Sequence, residues 1–242
     1  MKHLIIDINE ITKLRNIYQD EDFDPTRFAL LCEIAGAHGI SVSLGNQPGG
    51  INERDIRLLK DLHNSYLNLH IPAQPEQAKL ALPIRPEMIT FVDLKKSAGK
   101  NEFAPFEPEG LYQIAEFLSD FHANNISIAA LIQPEINTLK QLSKMEIDYA
   151  EFECNQLANS NDTNEEMVEL DRLKSAILGA SKLGLGVNCY GGIKYNHLPA
   201  LAAIPQLEDI TMGLSVVKRS LEVGINSAIK EALQQILAYH RD

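Results

Sequence analysis

The chain lacks several things, and each absence removes a class of function. No apolar run approaches the roughly 20 residues of a helical membrane span, so a spanning protein is not expected. The apolar run in Met1-Lys2-His3-Leu4-Ile5-Ile6-Asp7 is too short for a signal peptide and reads as a first strand. Cysteine is scarce: Cys32, Cys154 and Cys189 are widely spaced and odd in number. That pattern predicts a reducing cytoplasm, not a disulfide framework. No C-x-x-C spacing suggests a metal knuckle, and no G-x-G-x-x-G follows the first strand, which argues against an open dinucleotide-binding sheet. Basic residues are outnumbered, 22 against 33 acidic ones, for a formal net charge of -11. Such a surface repels nucleic acid and anionic membranes, so neither is an expected partner.

What is present alternates. Short β-rich runs such as Leu4–Ile8, Ile40–Leu44, Tyr66–His70, Met88–Val92, Ile126–Leu131, Tyr149–Phe152, Gly186–Cys189 and Leu207–Met212 are separated by helical patterns. The helices are read at Phe28–Ala37, Asn52–Leu62, Gln74–Leu82, Gly110–Asn124, Ile136–Met145, Asn164–Leu183, about His197–Ala203 and Val216–Ala238. Parallel strands need helical crossovers. Eight such units in 242 residues match one (β/α)8 TIM barrel, whose usual size is about 250 residues. No composition shift marks a boundary, so residues 1–242 are expected to form a single barrel domain. Three polar segments, Gly45–Gly50, Lys95–Pro108 and Asn161–Glu166, read as loops at the C-terminal mouth, where barrel loops carry function.

Barrel strands are buried on both faces and should be nearly all apolar. Here their ends break that rule with a period of two: Asp7 and Asn9, Ser41 and Ser43, Asn68 and His70, Glu151 and Glu153, then Asn188. A spacing of two puts each pair on one face. Any one of these residues could simply cap a loop and face water. Five strands repeating the pattern predict a polar small-molecule pocket that mixes carboxylates with an imidazole. Such a set can move protons or hold a divalent metal through O and N ligands. A second signal is Gly191-Gly192 after the seventh strand with Gly213 after the eighth and Ser215 at the following helix start. These glycines either only make tight turns or bind phosphate through backbone N–H groups and a helix N-terminus.

Five segments carry a resemblance that spans nearly the whole chain. They are IIDINEITKLRN (5–16), ISVSLGNQPGGINERDI (40–56), Tyr66-Leu67-Asn68-Leu69, GLGVNCYGGIKY (184–195), and the last unit with Ala200–Ile204, Met212-Gly213 and Arg219. In these the sequence resembles pyridoxine 5'-phosphate synthase. The resemblance implies a TIM barrel that assembles into a homo-oligomer, a dimer or larger. It implies condensation of 3-amino-2-oxopropyl phosphate with 1-deoxy-D-xylulose 5-phosphate, with no metal and no other cofactor. It further implies catalysis by a glutamate, histidines and phosphate-binding arginines.

Those catalytic positions are where the chain departs. The family's N-I-D-H reads Asp7-Ile8-Asn9-Glu10 here. Its strand-two histidine falls on Ser43, the arginine two residues on is Gly45, and the basic stretch that follows is Pro48-Gly49-Gly50. Its strand-three glutamate is His70, its P-E-K-R is Asp93-Leu94-Lys95-Lys96, and its strand-six histidine is Glu153. Its G-H-G is Tyr190-Gly191-Gly192, and the histidine after strand eight is Leu214. Arg15, Asn68, Glu151, Asn188, Gly192 and Gly213 are retained. The changed set, His70, Glu10, Glu153 and Ser43, occupies catalytic positions with new identities. The lost arginine clamp and added carboxylate disfavour two phosphorylated substrates, and Lys194 does not replace an arginine fork. Three readings follow: the parent synthase persists, a different enzyme uses Asp7, Glu10, His70, Asp93 and Glu153, or a silent paralogue binds a ligand or partner. Most replacements remain polar, which favours a working pocket for a small molecule, phosphorylated or not.

Overall fold

In the computed structural model, residues 2–45, 50–62, 66–97 and 100–238 are described. Residues 46–49 of the expected Gly45–Gly50 loop, Pro48 and Gly49 among them, lie outside the described residues, as does the side chain of Lys96.

The elements run β1 (His3–Asp7), α1 (Asn9–Tyr18), α2 (Pro25–Ala35), β2 (Gly39–Ser43), α3 (Glu53–Leu62), β3 (Tyr66–Pro72), α4 (Pro75–Ala81), β4 (Met88–Ser97) and β5 (Lys100–Ala104). The second half runs α5 (Leu118–Ala123), β6 (Ser127–Ile132), α6 (Ile136–Leu142), β7 (Tyr149–Glu153), α7 (Asn155–Ala158), α8 (Thr163–Lys182), β8 (Gly186–Tyr190), α9 (Leu198–Ala202), β9 (Asp209–Met212), α10 (Leu214–Val223) and α11 (Ile225–Ala238). Strands β1, β2, β3, β4, β6, β7, β8 and β9 pair in parallel round a closed ring, because β3 also pairs with β4. This is the (β/α)8 barrel expected from the alternation. Closure leaves none of the eight barrel strands with a free edge.

Local chemistry starts two of the helices, α2 after α1 and α8 after α7. Asp24 caps α2 by accepting from Thr26 N at 2.8 Å, ahead of Pro25 at the first helical position. Asp162 caps α8 through Asn164 N and Glu165 N. The outward strand residues Leu4, Ile6, Ile40, Val42, Ile89 and Val187 pack under these helices and are fully buried. Each such side chain contributes about 1.5–3 kcal/mol on burial.

Four readings of the sequence are corrected. Segment 95–108 is not a plain loop: β4 runs on to Ser97 and turns back antiparallel into β5, pairing Asp93 with Ala104 and Leu94 with Phe103. A helix, α1, follows β1 directly, so Asn9 opens a helix and is not a strand partner of Asp7. The stretch before α5 is a 3-10 helix, Pro108–Phe117, where one α-helix was expected. The last helix divides at Gly224, whose φ of 80° lies in the left-handed region that glycine adopts without strain. Among the described residues, no helix is long and apolar enough to cross a membrane.

Candidate functional site

The period-two residues do turn inward. Ser41, Ser43, Asn68, His70, Glu151, Glu153 and Asn188 are all buried polar groups within the barrel. They form a connected set because strand register sets their heights: Ser41 pairs with Asn68, Ser43 with His70, and Glu151 with Asn188.

At the centre, His70 Nε2 lies 2.9 Å from Glu151 Oε2, with the two side chains only 1% and 0% exposed. The contact is an ion pair, and His70 Nδ1 on the other side of the ring has no hydrogen-bond partner. Burial by itself would lower the titration of His70, but Glu151 and, less strongly, Asp7 outweigh it and raise the imidazole above its ordinary value. Glu151 Oε1 accepts from Asn68 Nδ2 at 3.3 Å, and Asn68 Oδ1 accepts from Thr90 at 2.9 Å.

Nearer the mouth, the Tyr190 hydroxyl donates to Asp7 Oδ2 at 2.9 Å, and its ring meets the His70 ring edge-on with centroids 4.5 Å apart. Asp7 Oδ1 accepts from Asn9 N at 2.8 Å. Burial raises the Asp7 carboxyl above the usual carboxylate range, against the pull of these two bonds and of His70. Asn9 and Ser43 are tied twice, by Asn9 Nδ2 to Ser43 Oγ at 2.9 Å and Ser43 N to Asn9 Oδ1 at 2.8 Å. Helix α1 thus begins by clamping the end of β2. Glu153 accepts from Gln133 Nε2 at 3.1 Å and from the backbone and side-chain amides of Asn155.

These groups face a cavity of about 660 Å³ at the C-terminal end of the barrel. Asp7, Asn9, Glu10, Ser43, His70, Glu153, Gly191, Gly192, Gly213, Leu214 and Ser215 line it. Asn68, Glu151 and Asn188 do not reach it; they form a layer beneath. Arg15 is also placed away: buried, it pairs with Asp55 of α3 and secures α1. Asp93 accepts from Leu94 N and stands outside the cavity lining. Among the described residues, no three His, Cys, Asp or Glu side chains are grouped to hold a metal ion.

One wall differs from the rest. Gly191 and Gly192 have φ of 95° and 65°, and a Cβ on Gly192 would sit 2.5 Å from that of Ala158. Gly213 leaves the N-terminus of α10 without a side-chain cap, and Val216 N and Val217 N return to the Gly213 carbonyl at 2.9 and 3.2 Å. Ser215 caps nothing; its hydroxyl donates to Ile193 O at 2.6 Å and ties the two glycine turns together. Four carboxylates (Asp7, Glu10, Glu102, Glu153) and three lysines (Lys13, Lys194, Lys218) line the cavity. Lys13 is engaged by Glu10 at 2.6 Å and Lys194 by Ala158 O, whereas Lys218 has no acidic partner among the described residues.

Sequence reading overlooked Tyr190 as a functional group. The period-two rule contained the signal, because Tyr190 falls on the same inward face as Asn188.

Comparison with known proteins places the chain. A family described as pyridoxal phosphate biosynthesis protein PdxJ matches residues 4–238. Pyridoxine 5'-phosphate synthase of Geobacter metallireducens is 30% identical over 236 residues, covering 98% of this chain and 99% of that protein. The synthase of Syntrophobacter fumaroxidans is 30% identical over 237 residues, covering 96% and 98%. Among solved structures, KGPDC from Streptococcus mutans superposes with a TM-score of 0.68 at 11% identity, covering 98% of each chain. Phosphoribosylanthranilate isomerase from Thermotoga maritima superposes at 0.58 and 12%, covering 98% and 100%. At such identities these structures speak for the fold alone.

Proposed function

The chain belongs to the pyridoxal phosphate biosynthesis protein PdxJ family, and from that premise we propose that it has left the parent condensation and binds one small phosphorylated molecule at its barrel mouth. The observation that carries this reading is the charge layout of the cavity. Four carboxylates and three lysines line it, and two of those lysines are already engaged. Each phosphate monoester brings roughly -1.5 to -2 charges at neutral pH. One such group fits the wall where Ser215 joins the glycine turns to the open N-terminus of α10, with Lys218 one turn further on. A second phosphate would meet carboxylates at low dielectric, where like charges cost several kcal/mol.

The replaced catalytic positions also support a retained pocket over a collapsed one. His70, Ser43, Glu153 and Asn9 each have hydrogen-bonded or ionic partners drawn from other strands or loops. A site that had lost all use would be expected to replace its catalytic groups with apolar side chains, and among the replaced positions that line the cavity only Leu214 is aliphatic. The floor retains titratable groups, His70 and Asp7, both shifted upward, so proton transfer to or from the bound molecule is within its chemistry.

The test has two arms. Incubation at high protein concentration with 3-amino-2-oxopropyl phosphate and 1-deoxy-D-xylulose 5-phosphate is expected to give no pyridoxine 5'-phosphate; product would restore the parent activity. Thermal shift with inorganic phosphate and a panel of small phosphate esters is expected to stabilise the protein, by about 2.7 kcal/mol at 100 times Kd. No shift with any of them would remove the ligand half of the proposal.

A further inference from the structure

The eight barrel strands follow one another round a ring, and β8 and β3 are four places apart in either direction, so they face each other across the bore. Tyr190 is the last residue of β8 and His70 the fifth residue of β3. Their rings nevertheless touch, and the Tyr190 hydroxyl reaches a third strand, β1, at Asp7. No other aromatic pair among the described residues joins opposite strands of the barrel. Tyr190 and His70 therefore bridge the bore. Above them is the cavity, which both line. Below them is the layer of Asn68, Thr90, Glu151 and Asn188, each at most 2% exposed and absent from the cavity lining.

That lower layer is unusual for a barrel core. It is polar; Asn188 Oδ1 has no hydrogen-bond partner, and Glu151 Oε2 has only its ion pair with His70. Polar atoms in such a place are drawn to any group that can reach them. Only the crossing side chains prevent it. Tyr190 also precedes Gly191-Gly192 directly, and all three line the same cavity.

We infer that Tyr190 is the specificity-determining residue of this cavity: it forms a floor that stops the ligand at Asp7 and His70 and denies it the Glu151 layer. The inference rests on the reading that a phosphorylated molecule occupies the mouth. The hydroxyl has a second part, positioning Asp7 through the 2.9 Å hydrogen bond. Glu151 on this account never touches the ligand and acts only through His70.

Truncation with refilling tests it. Wild type, Tyr190→Ala and Tyr190→Phe are titrated with inorganic phosphate, with phenyl phosphate and with phenol, and their unfolding is followed in parallel. Inorganic phosphate should bind all three alike. Phenyl phosphate should bind Y190A at least about tenfold more tightly than wild type, because its ring occupies the vacated floor beside the glycine turn. Phenol should bind Y190A only. Y190F keeps the floor and should show no gain with either ring, but its Asp7 carboxyl should titrate higher by carbon NMR, having lost a stabilising donor while Asn9 N, His70 and Lys13 still face it. If phosphate binds none of the proteins while phenol still enters Y190A, the phosphate reading fails and the floor stands. A folded Y190A that gains neither ring, or a wild type that takes phenyl phosphate as tightly, overturns the inference. Should Y190A not fold, Tyr190→Leu, which ends short of Asp7, carries the same comparison.

Discussion

The two ends of the barrel both hold charge, and they do it differently. At the N-terminal end, the Lys2 ammonium donates to the carbonyls of Pro205, at 2.7 Å, and Leu207. Glu87 accepts from Leu67 N at 3.0 Å, and Asp148 accepts from Ile128 N at 2.8 Å while pairing with His122. Lys2, Glu87 and Asp148 each satisfy backbone beside the start of a strand, although Glu87 also pairs with Lys60 and Asp209 pairs with His3. At the C-terminal end, charges meet other side chains: His70 with Glu151, Tyr190 with Asp7, Gln133 with Glu153. Some atoms there, such as His70 Nδ1, have no partner at all. Charge that closes backbone valences holds the fold. Charge held by other side chains beside a cavity is available for a ligand.

If that division holds, substitutions at the two ends should separate stability from binding. The largest effect is expected from Glu151→Ala, which leaves a buried imidazolium without its counter-ion and costs about 3–5 kcal/mol in urea unfolding. Glu151→Gln should fold better and return His70 toward its ordinary titration. The wild-type pair also gives a pH signature. His70 titrates above its unfolded value of 6.5, so its contribution is complete below that pH and is lost as the pH rises through the raised folded value. A stability profile that is flat across that range would remove the pair from the account.

Next is Lys2→Ala, which strands two carbonyls and should cost about 1–3 kcal/mol while leaving phosphate affinity unchanged. A loss of binding in that variant would break the division between the ends. Gly192→Ala should do the reverse in emphasis. Its Cβ meets Ala158 at 2.5 Å on a backbone with φ of 65°, a strain of about 1–3 kcal/mol, and phosphate binding should weaken with it. Asp209→Asn gives a smaller effect confined to pH. Burial raises Asp209 from 3.8 to about 6, so its neutral form favours the fold, and that contribution fades as the pH climbs through about 6. The variant should flatten stability between those values. Lys218→Ala should be the mildest, with unfolding unchanged and phosphate affinity reduced several-fold at low salt, less at high salt.

Much of this was legible in the chain itself. The barrel follows from alternating apolar strands and helical spacings, and the polar pocket follows from the period-two residues at five strand ends. What the pattern hid had physical causes. Helix α1 buries Asn9, Thr12 and Arg15 beside Ile11, so its inward face carries little apolar periodicity. Strand β5, KNEFA, is polar and reads as a loop because it pairs at the rim and not in the core. Gly224 sits within an otherwise continuous helical pattern, and only its left-handed φ reveals the break.

The residues of the site and its chemistry were set by sequence, because strand alternation decides which side chains point inward. Which of them meet was not. Asp7 and Tyr190 are 183 positions apart and share a hydrogen bond. Arg15 sits near Asp7 in sequence yet turns away to Asp55. Glu151 lies under the floor and Glu153 above it, two residues apart on one strand. Those outcomes depend on the stagger of strands round a closed ring and on one tyrosine long enough to cross it, and no local pattern encodes a distance across the bore.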